Sequence, residues 1–143
     1  DVTPSPALSQ IGRTWPVDGR QIGILTTADT PQEQVTALAA DIAAAGMVPL
    51  VVAEHGGDGV SRTYDTARSI EFDAVVVADI ADRPEVAVLL AEAFRHQKAI
   101  ALLAGLDPVH VDTGAPGVVE LTGLGEAVEK LTPLLEAHRV WDR

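Results

Sequence analysis

The feature that most constrains the fold of this chain is a series of five short apolar segments separated by stretches of helical periodicity. Each segment is nearly continuous in apolar residues, which is typical of strands in a sheet that is covered on both faces. Strands that alternate with helices form parallel units with right-handed crossovers. The sequence therefore predicts a three-layer α/β/α domain with a mostly parallel sheet of five or six strands. The predicted strands are residues 21–27, 47–53, 72–79, 99–104 and 117–121.

Capping residues mark the ends of the predicted helices. Thr30, followed by proline and then glutamate, is expected to cap a first helix that ends at Gly46. Asp82 is expected to cap a second helix, and Pro133 should kink or restart the last one. Residues 54–70 begin with several glycines and are weakly patterned, so we expect a loop with at most one helical turn.

The chain divides into a short arm and one domain. Residues 1–19 contain three prolines and no sustained helix or strand period, so we expect a linker or wrapping arm. Residues 20–143 hold the whole pattern of strands and helices, and this length suits one domain with a substantial core.

Charge and composition exclude several classes of function. Acidic residues outnumber basic ones 21 to 10, and the basic residues form no run, which argues against nucleic-acid binding. No apolar run approaches the roughly 18 residues of a membrane span, and no signal peptide is visible, so we expect a soluble, cytoplasmic protein. The chain has no cysteine, which excludes disulfides, a thiolate nucleophile and cysteine-bound zinc.

In a doubly wound domain, the functional crevice lies beyond the carboxyl ends of the strands. The loop at residues 26–30 could offer hydroxyls to a phosphate, but it lacks glycine and has no aromatic neighbour for a flavin ring, so we interpret it as a capped loop. Asp79 could be a phospho-acceptor, but that chemistry also needs an acid cluster for Mg²⁺ and a lysine after the last strand. Only Asp29 is available, so we interpret Asp79 as a loop or cap residue.

Other polar residues near the strand ends show no pattern of a metal site or of an activated nucleophile. Residues 56–59 resemble a phosphate cradle only in composition, and we expect a mobile turn there. The hydroxyl candidates for a nucleophile are Thr26, Thr27 and Ser61, and none has a histidine at an activating spacing. The histidines, which lack the spacing of metal ligands and are expected to be solvated, are His55, His96, His110 and His138.

Several segments of the chain resemble one protein family. The start TPSPALSQIGR, the stretches FDAVVVAD and EAFRHQKAIALL, and the end AHRVWDR are similar to the C-terminal domain of large-subunit (clade 2) haem catalases. The resemblance implies a flavodoxin-like fold. It also implies that residues 1–19 are the arm from the catalase body and that residues 20–143 are the C-terminal domain.

The resemblance implies a division of function between this chain and its parent protein. The parent would be a hydroperoxidase of the oxidative-stress response that dismutates hydrogen peroxide to water and oxygen at a haem outside this chain. This chain would contain no catalytic, cofactor-binding or metal-binding residue and would serve stability or assembly. The implied partners are the catalase core of the same chain and the other subunits of a homotetramer. A secondary hypothesis is a chaperone-like role, since a small α/β domain with a vacant crevice could offer apolar surface to unfolded client proteins.

The same domain is similar to the class I glutamine amidotransferase and intracellular-protease superfamily, whose reactive members carry a cysteine at a strand-to-helix elbow. Alignment of that elbow places Ala104 at the cysteine position, and the stretch GLGE after the last strand supplies no triad histidine. The similarity implies a scaffold whose former site has lost its chemistry. The alternative functions are a degenerate amidotransferase-like module that binds a small ligand and, as the enzymatic rival, a hydrolase with a hydroxyl nucleophile.

Tyr64 lies in a segment that superficially resembles the haem-ligand motif of catalases. In that motif an arginine precedes the tyrosine by one helical turn, and one residue separates the tyrosine from an aspartate. Here Arg62 precedes Tyr64 by two residues, and Asp65 follows it directly. We therefore expect Tyr64 to be a loop residue rather than an iron ligand.

Overall fold

The computed structural model describes residues 16–57, 59–67, 71–81, 83–108 and 111–137, and the structural statements below concern these residues. Their strands are β1 (Gln21–Leu25), β2 (Val48–Ala53), β3 (Arg62–Thr63), β4 (Ala74–Val77), β5 (Ala99–Leu103) and β6 (Val118–Leu121). Their helices are α1 (Gln32–Ala44), α2 (Pro84–Arg95) and α3 (Ala127–Glu136), and a 3₁₀ turn, Leu124–Glu126, leads into α3. None of these described helices has the length and apolar composition of a membrane-spanning helix.

The described strands form one parallel sheet in the order β3-β2-β1-β4-β5-β6. This confirms the predicted three-layer α/β fold with a mostly parallel sheet of five or six strands. Apart from the two-residue edge strand β3, the strand order is that of flavodoxin-like domains. The order reverses between β1 and β4, and doubly wound domains bind ligands beyond the carboxyl ends of the strands at such a reversal.

Alternating side chains of the central strands divide the core into two clusters. On β1, Ile22 and Ile24 belong to the cluster under α1 and α3, whereas Leu25 belongs to the cluster on the other side of the sheet. The residues of β4 alternate in the same way, and all of them are fully buried. Burial of both faces explains why these strands read as continuous apolar runs.

The side of the sheet opposite α1 and α3 is covered by α2 and by the segment between β3 and β4. Tyr64 and Phe72 from that segment are 2% and 1% exposed and pack in one cluster with the inner residues of α2. The Phe72 ring lies against the backbone of β1, since a Cβ added at Gly23 would come within 3.1 Å of it. Glycine at position 23 is therefore a packing requirement of this core.

Gly46 ends α1, as predicted. It adopts a φ of +86°, and the N–H groups of Gly46 and Met47 donate to the carbonyls of Ala43 and Ile42 at 3.0 and 3.1 Å. These paired bonds form a Schellman C-cap, in which the left-handed residue is most often glycine. The last turn of α2 closes with equivalent bonds around Gln97, which has a φ of +62°.

The predicted starts of the first two helices differ from the structure. α1 begins one residue after the proline, and the Thr30 hydroxyl does not cap it but accepts a hydrogen bond from the Thr27 N–H at 3.0 Å. That bond closes the loop between β1 and α1 instead. The N-cap position of α2 is Arg83, one residue after the predicted cap Asp82, which lies outside the described residues.

The last helix, α3, runs continuously across Pro133, so the expected restart does not occur. The adjacent Thr132 hydroxyl donates to the Val128 carbonyl at 2.7 Å within the same stretch of helix. Leu131 and Leu135, on either side of the proline, are each 1% exposed and hold the helix on the sheet. Tertiary packing of this apolar face therefore outweighs the local cost of the proline.

The stretch predicted as a loop, residues 54–70, contains the unpredicted edge strand β3. Its two residues, Arg62–Thr63, pair with Val52 and Ala53 of β2. Ser61 aligns the two segments, because its hydroxyl accepts the Val51 N–H at 3.1 Å and its own N–H donates to the Val51 carbonyl at 2.8 Å. A strand of two residues is too short to leave a period in the sequence.

Gly23→Ala should destabilise the domain, because the new methyl group meets the Phe72 ring inside a packed core. We expect the free energy of unfolding, measured by urea denaturation, to fall by about 1–3 kcal/mol. Gly125→Ala is the matched control, since a Cβ there meets no atom within 4 Å. Equal stability of the two variants would contradict the packing described for Phe72.

Candidate functional site

The carboxyl ends of β1 and β4 meet where the strand order reverses, the position at which doubly wound domains bind ligands. Both strands end two residues earlier than predicted, so Thr27 and Asp79 lie in the loops that follow them. The Thr27 hydroxyl donates to Asp79 Oδ2 at 2.7 Å, and Asp79 Oδ1 accepts the Ile80 N–H at 2.9 Å. The two side chains therefore bind each other across the crevice.

A buried tyrosine binds the backbone next to this pair. Tyr64 donates its hydroxyl hydrogen to the Thr26 carbonyl at 2.8 Å, and the Thr26 hydroxyl donates to the Val52 carbonyl at 2.8 Å. Burial raises the pKa of the Tyr64 phenol well above its ordinary value of 10.0, and the negative charges of Glu54 and Asp79 raise it further. The neutral phenol is therefore the form that the folded domain stabilises.

The hydroxyls proposed from the sequence as nucleophile candidates all have structural partners. Thr26 bonds to β2, Thr27 bonds to Asp79, and Ser61 accepts a backbone N–H from β2. Within the described part of the chain, none of the three is hydrogen-bonded to a histidine. They lack the adjacent base that activates a hydroxyl nucleophile.

The arrangement around Asp79 also differs from that of a phospho-acceptor site. Asp29 is exposed, and its backbone N–H donates to the Thr27 hydroxyl at 3.2 Å. Lys98 precedes β5 at the opposite, amino edge of the sheet, and Lys130 on α3 donates to the Glu120 carbonyl at 2.9 Å. No lysine among the described residues is thus in place to pair a phosphoryl group at Asp79.

A cleft of about 460 Å³ opens beside the crevice, between the carboxyl ends of β1 and β2. Its walls combine hydroxyl, amide, carboxylate and imidazole groups with apolar side chains. It lies on the β2 side of β1 rather than at the reversal between β1 and β4. The lining residues are Thr26, Thr27, Ala28, Thr30, Gln32, Val35, Val51, Ala53, Glu54, His55, Gly59 and Val60.

The histidines are placed far apart in the described fold. His55 is exposed at the cleft, and His96 is exposed at the C-cap of α2. His110 and His138 lie outside the described residues, as does Asp58 of the glycine-rich turn. Among the residues that the structure describes, no three histidine, aspartate or glutamate side chains come together as a metal site.

Ala104 does not occupy a strand-to-helix elbow. Its N–H donates to the Leu121 carbonyl at 2.7 Å, Gly105 adopts a φ of +91°, and the Leu106 N–H donates to the Leu103 carbonyl at 3.2 Å. These contacts form a tight turn, and the described residues between β5 and β6 include no helix. The elbow that the superfamily similarity implied at this position is therefore absent from the described fold.

Tyr64 does not fit the role of a haem ligand in this chain. Its ring is 2% exposed in the core, and its hydroxyl hydrogen is committed to the Thr26 carbonyl. An iron bond would require the Tyr64 phenol to leave this position and lose its proton, whereas burial stabilises the protonated form. Tyr64 follows β3 in a turn, as expected from the sequence, but its side chain belongs to the core.

Comparison with known proteins gives the family of the chain. A family model described as the C-terminal domain found in long catalases matches residues 18–143. The chain belongs to this family. The match covers the whole described sheet and all of its helices, so the family assignment and the fold concern the same residues.

The curated relatives of this catalase C-terminal domain are much longer than the chain. Catalase B of Emericella nidulans is 29% identical over 78% of this chain, and Catalase B of Aspergillus oryzae is 39% identical over 43% of it. Catalase B of Aspergillus fumigatus is also 39% identical over 43% of this chain. The aligned regions span only 9% to 18% of the relatives' own length.

Two contacts around the candidate site of the catalase C-terminal domain were not predicted from the sequence. One is the bond between Thr27 and Asp79, which the positions of both residues after neighbouring strands could have suggested. The other is Arg83, whose guanidinium donates to the Glu54 carbonyl at 3.3 Å and to Asp65 at 3.2 Å. Arg83 joins the start of α2 to the segments on both sides of β3, and no sequence motif marks this contact.

Tyr64 is the single tyrosine of the chain, so its ionisation can be followed alone by ultraviolet absorbance. Its pKa is raised in the folded state, so the folded domain holds this proton above pH 10.0, where the unfolded chain releases it. The stability should therefore fall as pH rises above 10.0, and the phenolate should appear only together with unfolding. Tyr64→Phe should remove this pH dependence. A phenolate signal in the folded protein near pH 10.0 would contradict the buried hydrogen bond.

Ala104→Cys should give a thiol with an ordinary pKa of about 8.5, because no helix N-terminus follows this turn in the described fold. The measurement is the rate of alkylation by iodoacetamide as a function of pH. Val48→Cys, at another partly exposed site away from the carboxyl edge, is the control. A thiol pKa at position 104 at least one unit below that of the control would show that an activating elbow exists after all.

Proposed function

We propose that the chain is a non-catalytic domain that stabilises the assembly of a long catalase. The parent would dismutate hydrogen peroxide to water and oxygen at a haem held by residues outside this chain. We assign no catalytic, cofactor-binding or metal-binding residue to the chain itself. Its partners would be the catalase body of the same chain and the neighbouring subunits of a homotetramer.

The observation that carries this proposal is the internal hydrogen bonding at the reversal of strand order. Thr27 and Asp79 bind each other where a doubly wound enzyme would present its reactive groups, and Tyr64 bonds to the adjacent backbone. These bonds join the ends of β1 and β4 to each other and to the turn that follows β3. These hydrogen bonds support a structural role for the polar groups at the expected site.

The length of the relatives supports the proposal that the haem is held by residues outside this chain. This chain aligns with 18% or less of each Catalase B, and the family is defined as a C-terminal domain. The greater part of such a protein therefore precedes the domain. A haem site and its access channel would be built there, and the domain would act on them only through the stability of the assembly.

The test is removal of residues 19–143 from the full-length parent. Turnover per haem should stay unchanged in correctly assembled molecules, because the chain contributes no reacting group. Inactivation at elevated temperature should become about tenfold faster, because an interdomain contact is lost. Full-length parent carrying Gly23→Ala is the graded control and should show an intermediate half-life with the same turnover.

A loss of turnover without a loss of stability would contradict the proposal. If the truncated enzyme lost its turnover per haem while its tetramer content and inactivation rate stayed the same, the domain would take part in catalysis.

The cleft between β1 and β2 favours a second candidate function, a small-ligand-binding module. Its volume of about 460 Å³ falls within the range of small-molecule sites. Thermal unfolding in a panel of nucleotides, amino acids and dicarboxylates tests it, since a ligand at 100 times its Kd adds about 2.7 kcal/mol. Ala28→Trp, which narrows the cleft, should abolish any shift. No shift with any member of the panel would remove support for this function.

A further inference from the structure

α2 carries a large apolar side chain, Val88, that keeps 56% of its surface open to solvent. Pro84 is also exposed on this helix, and Ala87 and Ala91 are partly exposed. We call these four residues the α2 ridge. Exposed charged residues on the described helices include Arg95 on α2 and Glu33, Asp41, Glu129 and Lys130 on α1 and α3.

Grooves border the α2 ridge on both sides. One groove, about 240 Å³, lies towards the turn after β3 and reaches Tyr64 and Ala67. The other, about 230 Å³, lies towards the carboxyl ends of β4 and β5 and reaches Ile80 and Pro108. α2 is the one described α-helix on its side of the sheet.

Glu85 lines the first groove and forms an ion pair at the start of α2. Its Oε2 lies 3.6 Å from Arg83 Nε, which is longer than a good hydrogen bond. The Glu85 side chain is 40% exposed, and its Oε2 accepts no hydrogen bond within the described structure. A surface packed onto the ridge could supply a donor to this oxygen.

We propose that the α2 ridge is the surface on which the catalase body of the parent chain packs. The inference rests on the proposed function, since it names the interface through which the domain would stabilise the assembly. The body would present an apolar patch over Val88 and a hydrogen-bond donor, most simply an arginine or lysine, to Glu85. An apolar centre with a rim of both acidic and basic residues matches the mixed character of interfaces between domains of one chain.

The body is the occupant that the length of the relatives favours. More than four fifths of each Catalase B lies outside the aligned region, so a large partner is always present in a one-to-one ratio with the domain. A covalently linked partner also has a high effective concentration and needs little affinity to remain docked. An unfolded client protein has neither advantage.

The test uses the full-length parent with a single cysteine placed in this domain, which has none of its own. Val88→Cys probes the ridge, and Ala40→Cys on the exposed face of α1 is the matched control. Alkylation of each position by iodoacetamide is followed by peptide mass spectrometry in the native tetramer and in urea. Relative to its own rate in urea, Cys at position 88 should react at least about tenfold more slowly than Cys at position 40.

A photoactivated benzophenone maleimide attached at position 88 then identifies the occupant. Cross-links to residues upstream of this domain support the proposal, and cross-links to a second copy of residues 1–143 or to other proteins overturn it. A native rate at position 88 equal to that at position 40, with no upstream cross-link, also overturns it. In that case a shorter half-life of the truncated parent would still support the proposed function, so the two failures are distinguishable.

Discussion

Burial of both faces of the central strands is the constraint on which the rest of this structure depends. Every residue of β4 is fully buried, so a helix or an ordered segment must cover each side of the sheet. α1 and α3 cover one side, whereas α2 shares the other with the segment that carries Tyr64 and Phe72. The close approach of the Phe72 ring on this side explains the glycine at position 23 of β1.

The packing on this side of the sheet also affects the hydrogen bonds at the carboxyl ends of β1 and β4. The segment that follows β3 brings Tyr64 to the end of β1, where its hydroxyl binds the Thr26 carbonyl. Thr27 and Asp79 then join the ends of β1 and β4 directly. The crevice, which is a ligand site in many domains of this architecture, here contains hydrogen bonds that join the strands to one another.

Most of the fold follows from the sequence because it depends on periodicity, and most of the site does not because it depends on tertiary contacts. The apolar runs locate five of the six described strands, and Gly46 marks the end of α1 through its left-handed backbone. The strand β3 escapes prediction because Arg62 and Thr63 are too few to show a period. Other contacts depend on neighbours that are distant in sequence or that no motif indicates. They are the partner of the Thr30 hydroxyl, the turn at Ala104 and the hydrogen bonds of Arg83 to Glu54 and Asp65.

The central claim is that the peroxide chemistry of the family lies outside this chain, and haem titration of residues 1–143 tests it most directly. The account predicts no stoichiometric Soret band after haem addition and no more oxygen release from peroxide than free haem produces. Tyr64→Phe should behave identically, since the Tyr64 hydroxyl is bound to the Thr26 carbonyl. A one-to-one Soret complex with turnover above free haem, lost in Tyr64→Phe, would contradict the account.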